Sequence, residues 1–206
     1  MLLSVLVGCG SGAGAAGSLS VDRVVELAEK VKKDGSDSCP LPYDLKEAAD
    51  AAELDDPGLE PGAAGGESDD PKASASGGKT TDPQSPWQGT TGALVTCSYH
   101  AGADDVDVHT GATAEGNAVY LQAPLIQSAG GLSVEELQAY TDKAAKAKAG
   151  EAVPTKGGNV VTVRLDSGGQ GDVALVLTAE KDGSGKTSLT PEQVLKLAKT
   201  FAAQAE

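Results

Sequence analysis

Large aromatic rings, basic charge and catalytic signatures are all scarce in this chain. One Phe, one Trp and four Tyr among 206 residues leave a core to be built from Val, Leu and Ala, with few of the rings that usually line a roomy apolar pocket. A capacious lipid-carrying cavity is therefore not advertised. Sixteen basic residues stand against 30 acidic ones, a formal charge of -14, and so negative a surface repels the phosphates of nucleic acids. Nucleic acid is excluded as an expected partner. Three cysteines form no C-x-x-C pair, two histidines lie nine residues apart at His100 and His109, and no G-x-S-x-G elbow marks a serine nucleophile. No catalytic residue, metal site or cofactor is assigned.

What is present begins with organisation. The length fits one domain with a single hydrophobic core. Behind Ser20, apolar residues Val24, Val25, Leu27, Ala28 and Val31 recur at helical spacing and predict a helix over Val21 to Lys33. Cys39-Pro40-Leu41-Pro42-Tyr43 is held extended by its prolines, and Asp44 then caps an Ala-rich helix through Leu54. From Asp55 to about Thr90 the composition shifts to Gly, Pro, Ser, Asp and Thr, with eight acidic residues against two lysines between Glu53 and Asp82. Such a stretch buries too little apolar area to offset its chain entropy and reads as a disordered acidic insertion. Trp87 stands near its end as a partner anchor or a cover for a sheet edge.

Beyond Thr90 the apolar period changes to two. Ala93 to Tyr99, Asp104 to Thr110, Asn117 to Ile126, Asn159 to Asp166 and Asp172 to Glu180 read as strands, with a short one at Glu151 to Thr155. Ser133 to Ala149 and Thr190 to Ala203 read as helices. Leu19-Ser20, Leu132-Ser133 and Leu189-Thr190 each place an apolar residue before a hydroxyl cap, with Val24, Leu137 and Val194 completing a hydrophobic staple. Glu136 and Gln193 add capping boxes. The expected fold is α+β, an antiparallel sheet covered on one face by helices, and the order of elements suggests a duplicated strand-strand-helix unit.

Three local patterns bear on chemistry. Gly183 to Thr187 resembles the tail of a phosphate-binding P-loop, but the first glycine of that motif falls at Glu180, which repels phosphate. Glu180 to Gly185 resembles an EF-hand calcium loop, but its twelfth position is Pro191 and a strand precedes it. Asp105, Asp107 and His109 share one strand face opposite Val106 and Val108; this is a weak metal candidate and is better read as the wet face of a strand.

A further signal lies at the amino terminus. Leu2 to Gly8 is an uncharged apolar run, far too short to span a bilayer, ending at Cys9 and a small-residue stretch to Gly17. Leu6-Val7-Gly8-Cys9 resembles the lipobox of bacterial lipoproteins, and the acidic, Ala/Gly-rich style is similar to small secreted lipoproteins of actinobacterial type. The resemblance implies cleavage after Gly8, acyl chains on Cys9 and residence on the outer face of the cytoplasmic membrane, bound to the bilayer through that lipid. Residues 1–8 then read as a truncated signal peptide, since the basic opening of such a peptide is missing. Residues 9–19 are the lipidated cysteine and its flexible tether, and 20–206 the single domain with its insertion at about 55–90. If Cys9 carries lipid, Cys39 and Cys97 remain as an even pair in an oxidising compartment and are expected to form a disulfide. A Cys/His metal site or a thiol nucleophile ranks behind it. The expected role is a non-enzymatic domain binding an envelope protein or a small ligand, with an envelope hydrolase or a lipid carrier as the alternatives.

Overall fold

Val173-Ala174-Leu175-Val176-Leu177 is apolar at odd and even positions alike, the pattern of a strand buried on both faces, and it lies at the heart of the molecule. The computed structural model describes residues 18–31, 33–67, 69–78, 91–181 and 183–206. Within them, β7 (Asp172–Glu180) sits between β4 (Asp104–Thr113) and β6 (Val160–Leu165), all antiparallel. β3 (Gly92–Ala101) flanks β4, and β5 (Ala152–Pro154) closes the far edge beyond β6. Two strands, β1 (Glu60–Pro61) and β2 (Ala73–Gly78), pair end to end along the outer side of β3.

Strand parity divides the core in two. Val95, Cys97, Tyr99, Val106, Val108, Val163, Leu175 and Leu177 point to one face, where they pack with α1 (Val21–Lys30), α2 (Leu45–Ala51) and α6 (Pro191–Ala205). Phe201 of α6 is fully buried there, its ring edge-on to Tyr43 at 4.9 Å and stacked on Tyr99 at 5.8 Å. Val153, Val160, Ala174 and Val176 point to the other face under α3 (Ala118–Leu121), α4 (Ala123–Gly130) and α5 (Val134–Lys146). Helices therefore cover both faces, not the single face expected. The hairpins β3–β4 and β6–β7 do flank the β4–β7 contact symmetrically. The helices that follow them pack on opposite faces, so the repeat stops at the strands.

The helix starts follow their caps. The side chains of Ser20, Asp44, Ser133 and Thr190 accept from the backbone N–H three residues on, and Glu136 and Gln193 close capping boxes. Two expectations are corrected. Asn117 to Ile126 is not a strand but α3 and the start of α4, because Asn117 Oδ1 caps Val119 N–H and Ala118, Val119, Gln122 and Ile126 bury one helical face. The segment at 55–90 contributes β1 and β2, and its remainder at 79–90, with Trp87, lies outside the described residues. Among the described residues no helix is long and apolar enough to cross a membrane.

Candidate functional site

The face beneath α3–α5 turns polar where those helices end. β3 supplies Thr96, Ser98 and His100, β4 supplies Asp105, Asp107 and His109, and β7 supplies Thr178 and Glu180. The register aligns them as a ladder: His109 is opposite Thr96, Asp107 lies between Ser98 and Thr178, and Asp105 lies between His100 and Glu180. The expected common face of Asp105, Asp107 and His109 is thus present. At ~3.4 Å per residue, Asp105 and His109 are about 13 Å apart along the strand, too far to share an ion. Asp105 Oδ1 instead accepts from Ala64 N–H at 2.6 Å, and among the described residues no cluster of three His, Cys, Asp or Glu could hold a metal.

His109 is 5% exposed. Its Nδ1 lies 2.9 Å from Thr96 Oγ1 and its Nε2 lies 3.4 Å from Thr178 Oγ1. Burial disfavours the imidazolium and brings the pKa down from 6.5 to about 4. Asp107 is shifted upward, chiefly by burial and also by the charges of Asp105 and Glu180, against a hydrogen bond from Ser98. Together with Thr178, Glu180, Leu125, Ser128 and Ala129 these two residues line a cavity of about 290 Å³ beside α4. A neutral imidazole engaged by two hydroxyls is built to donate and accept hydrogen bonds. A base with so low a pKa is poorly matched to proton transfer near neutrality.

The His109 environment makes stability depend on pH. The unfolded chain takes up this proton near 6.5 and the folded one only near 4, so the contribution is intact above 6.5 and is lost as pH falls towards 4. The loss amounts to roughly 3 kcal/mol at 1.36 kcal/mol per pKa unit. Asp107 acts in the opposite sense over its own range, because its folded carboxyl keeps a proton to higher pH. Denaturant titrations from pH 7.5 to 4.5 should show this decline in the parent chain and a flatter profile for His109→Gln; equal slopes in the two proteins would show that His109 is not the titrating group.

The patterns set aside above have structural roles. The Thr187 hydroxyl and the Ser188 N–H reach Asp104 Oδ1 at 2.8 and 2.7 Å, and the Ser188 hydroxyl bonds Oδ2. These donors, with the charge of Lys181, outweigh burial and lower the Asp104 pKa. The Gly183–Thr187 turn is therefore tied to the start of β4. Cys39 and Cys97 lie at disulfide distance, with Cα atoms 5.3 Å apart, joining the extended leader of α2 to the middle of β3. Cys9 lies outside the described residues.

Two further polar features lie within the sheet and its helices. Arg164 on β6 binds Asp172 on β7 and the last carbonyls of α5. Gln122 is buried, and it bonds Ala118 O and Ala174 O through Nε2 while its Oε1 has no partner. Gly111 leaves room for that amide, since a Cβ there would stand 2.6 Å from Nε2. Both depend on residues far apart in the chain, and no local signal marks them. No protein-family model matches the chain, and neither curated proteins nor solved structures yield a match.

Proposed function

We propose that this chain is a lipid-anchored domain on the outer face of a bacterial cytoplasmic membrane, held by acyl chains on Cys9, whose folded part binds an envelope protein or a small ligand without catalysing a reaction. The observation that carries the reading is the Cys39–Cys97 pair. Two of the three cysteines of the sequence stand at disulfide distance, as suits an oxidising compartment, and the third ends the Leu6-Val7-Gly8-Cys9 motif. The binding role is supported by the cavity of about 290 Å³ that Asp107 and His109 line beside α4. Intact-mass measurement on the membrane fraction tests the anchor. A chain beginning at Cys9 and carrying a diacylglycerol adduct is expected, and an unmodified chain beginning at Met1 overturns it.

A hydrolase is the second reading, favoured by the 2.9 Å approach of Thr96 Oγ1 to His109 Nδ1, the distance of a nucleophile and its base. It requires His109 to titrate near neutrality. An NMR pH titration placing His109 near 4 removes it.

A further inference from the structure

A pocket of about 240 Å³ opens between the leader of α2 and the edge where β1 meets β3. Its walls are Leu41, Tyr43, Leu45 and Pro61, and Lys72 and Tyr99 also line it. Tyr99 is only 3% exposed, its ring fixed against Phe201. The hydroxyls of Tyr43 and Tyr140 are partnered within the protein: Tyr43 bonds with Thr110 Oγ1 at 3.1 Å, and Tyr140 donates to Val153 O at 2.7 Å. No described group hydrogen-bonds the Tyr99 hydroxyl. The hydroxyl is not sealed from solvent, since among the described residues the one buried side-chain polar atom without a partner is Gln122 Oε1; the Tyr99 O–H stays free to donate to a molecule in the pocket it lines. Lys72, half-buried, likewise forms no ion pair among the described residues.

From this arrangement the geometry points to a ligand site for a small carboxylate with a single-ring or short branched apolar body. The apolar walls take the body. The head accepts a hydrogen bond from the Tyr99 hydroxyl and faces the Lys72 ammonium. A carboxylate suits both, since it is acceptor-only and gains from a charged donor. Asp37, exposed on the rim, opposes an anion, so Lys72 sets the sign of the preferred head. At ~30 Å³ per water the space equals about eight waters, enough for one ring and too little for the acyl chains of a membrane lipid. The inference deepens the binding reading by naming a ligand class, and it does not depend on the anchor.

Phenylacetate is the probe, titrated into the full chain and followed by amide and tyrosine-ring NMR shifts, with 2-phenylethylamine as the cation of matching body. Saturable shifts at Leu41, Lys72 and Tyr99 are expected, with the amine about tenfold weaker. Tyr99→Phe keeps the stack on Phe201 and loses only the unbonded hydroxyl, so it should fold with an unchanged melting temperature and bind about tenfold less tightly. Lys72→Gln should weaken binding several-fold and remove its salt dependence. Absence of saturable shifts in the parent chain, parental affinity in Tyr99→Phe, or equal affinity for the amine would each overturn the site. Any of these would leave the mass of the membrane-bound form unaffected, so failure here and failure of the anchor are separately visible.

Discussion

Replacing Cys39 and Cys97 together with alanine should lower the unfolding free energy by about 4 kcal/mol. The pair is separated by 58 residues, and in the chain-entropy model a cross-link closing a loop of that size removes roughly 14 cal/mol/K from the unfolded chain. The loop contains α2, β1 and β2, which pair with or pack against elements outside it, so the bridge limits how far these pieces can separate when they open. Without it the leader is still held by Ser36 N–H donating to Ala73 O at 2.9 Å, by Lys72 N–H donating to Ser36 O at 2.8 Å, by the buried Leu41, and by Tyr43, which packs on Phe201 and bonds Thr110. Against a typical net stability of ~5–15 kcal/mol, the loss would leave a marginal protein. Urea unfolding of the parent and the double variant measures it, with a larger m-value expected once the unfolded chain can expand. A loss under about 1 kcal/mol, or free-thiol labelling of both cysteines in the denatured parent, would remove the bridge from the account.

The parts of the fold legible in the sequence are those fixed by neighbouring residues. Ser20, Asp44, Ser133 and Thr190 announce helix starts because a cap needs only the next three residues. β4 alternates Val106 and Val108 with Asp105 and Asp107 because its two faces differ, and that contrast was readable. β2 was not. Ala73-Ser74-Ala75-Ser76-Gly77-Gly78 has no β-branched or aromatic residue, and it is a strand because β3 offers an open edge for its backbone. Asn117 to Ile126 reads as a strand and folds as helix because a short apolar run carries no reliable period.

Site chemistry was legible to a lesser degree. That Asp105, Asp107 and His109 share a face follows from strand parity. That His109 is neutral follows from its burial under groups on three elements, among them Thr96 and Thr178, which no local pattern announces. The Tyr99 hydroxyl is a similar case: its lack of a partner is a property of the packed leader and sheet edge, while Tyr99 itself reads only as one more inward-facing position of β3.

Substituting Arg164 by methionine should destabilise the protein by about 4 kcal/mol, the middle of the range for removing one partner of a buried ion pair. Arg164 Nη2 and Nε lie 2.5 and 3.1 Å from Asp172 Oδ1, while Nη1 donates to Ala145 O and Ala147 O at the end of α5. Asp172 Oδ2 accepts from Ala118 N–H at the start of α3. One pair thus anchors two helix ends to the sheet, a cation where α5 presents its carbonyls and an anion where α3 presents its N–H groups. The Asp172 side chain is 7% exposed and that of Arg164 30%. Water can therefore relieve part of the loss on the arginine side, while the two freed carbonyls add to it. Methionine preserves the apolar stem and leaves Asp172 as a buried carboxylate without its counter-charge. Adding Asp172→Asn to Arg164→Met should then recover about 1–2 kcal/mol, because the amide oxygen can still accept from Ala118 N–H and the uncompensated charge is gone. A single variant within about 1 kcal/mol of the parent, or a double variant as unstable as the sum of the two singles, would show that the pair is not what holds α3 and α5 in place.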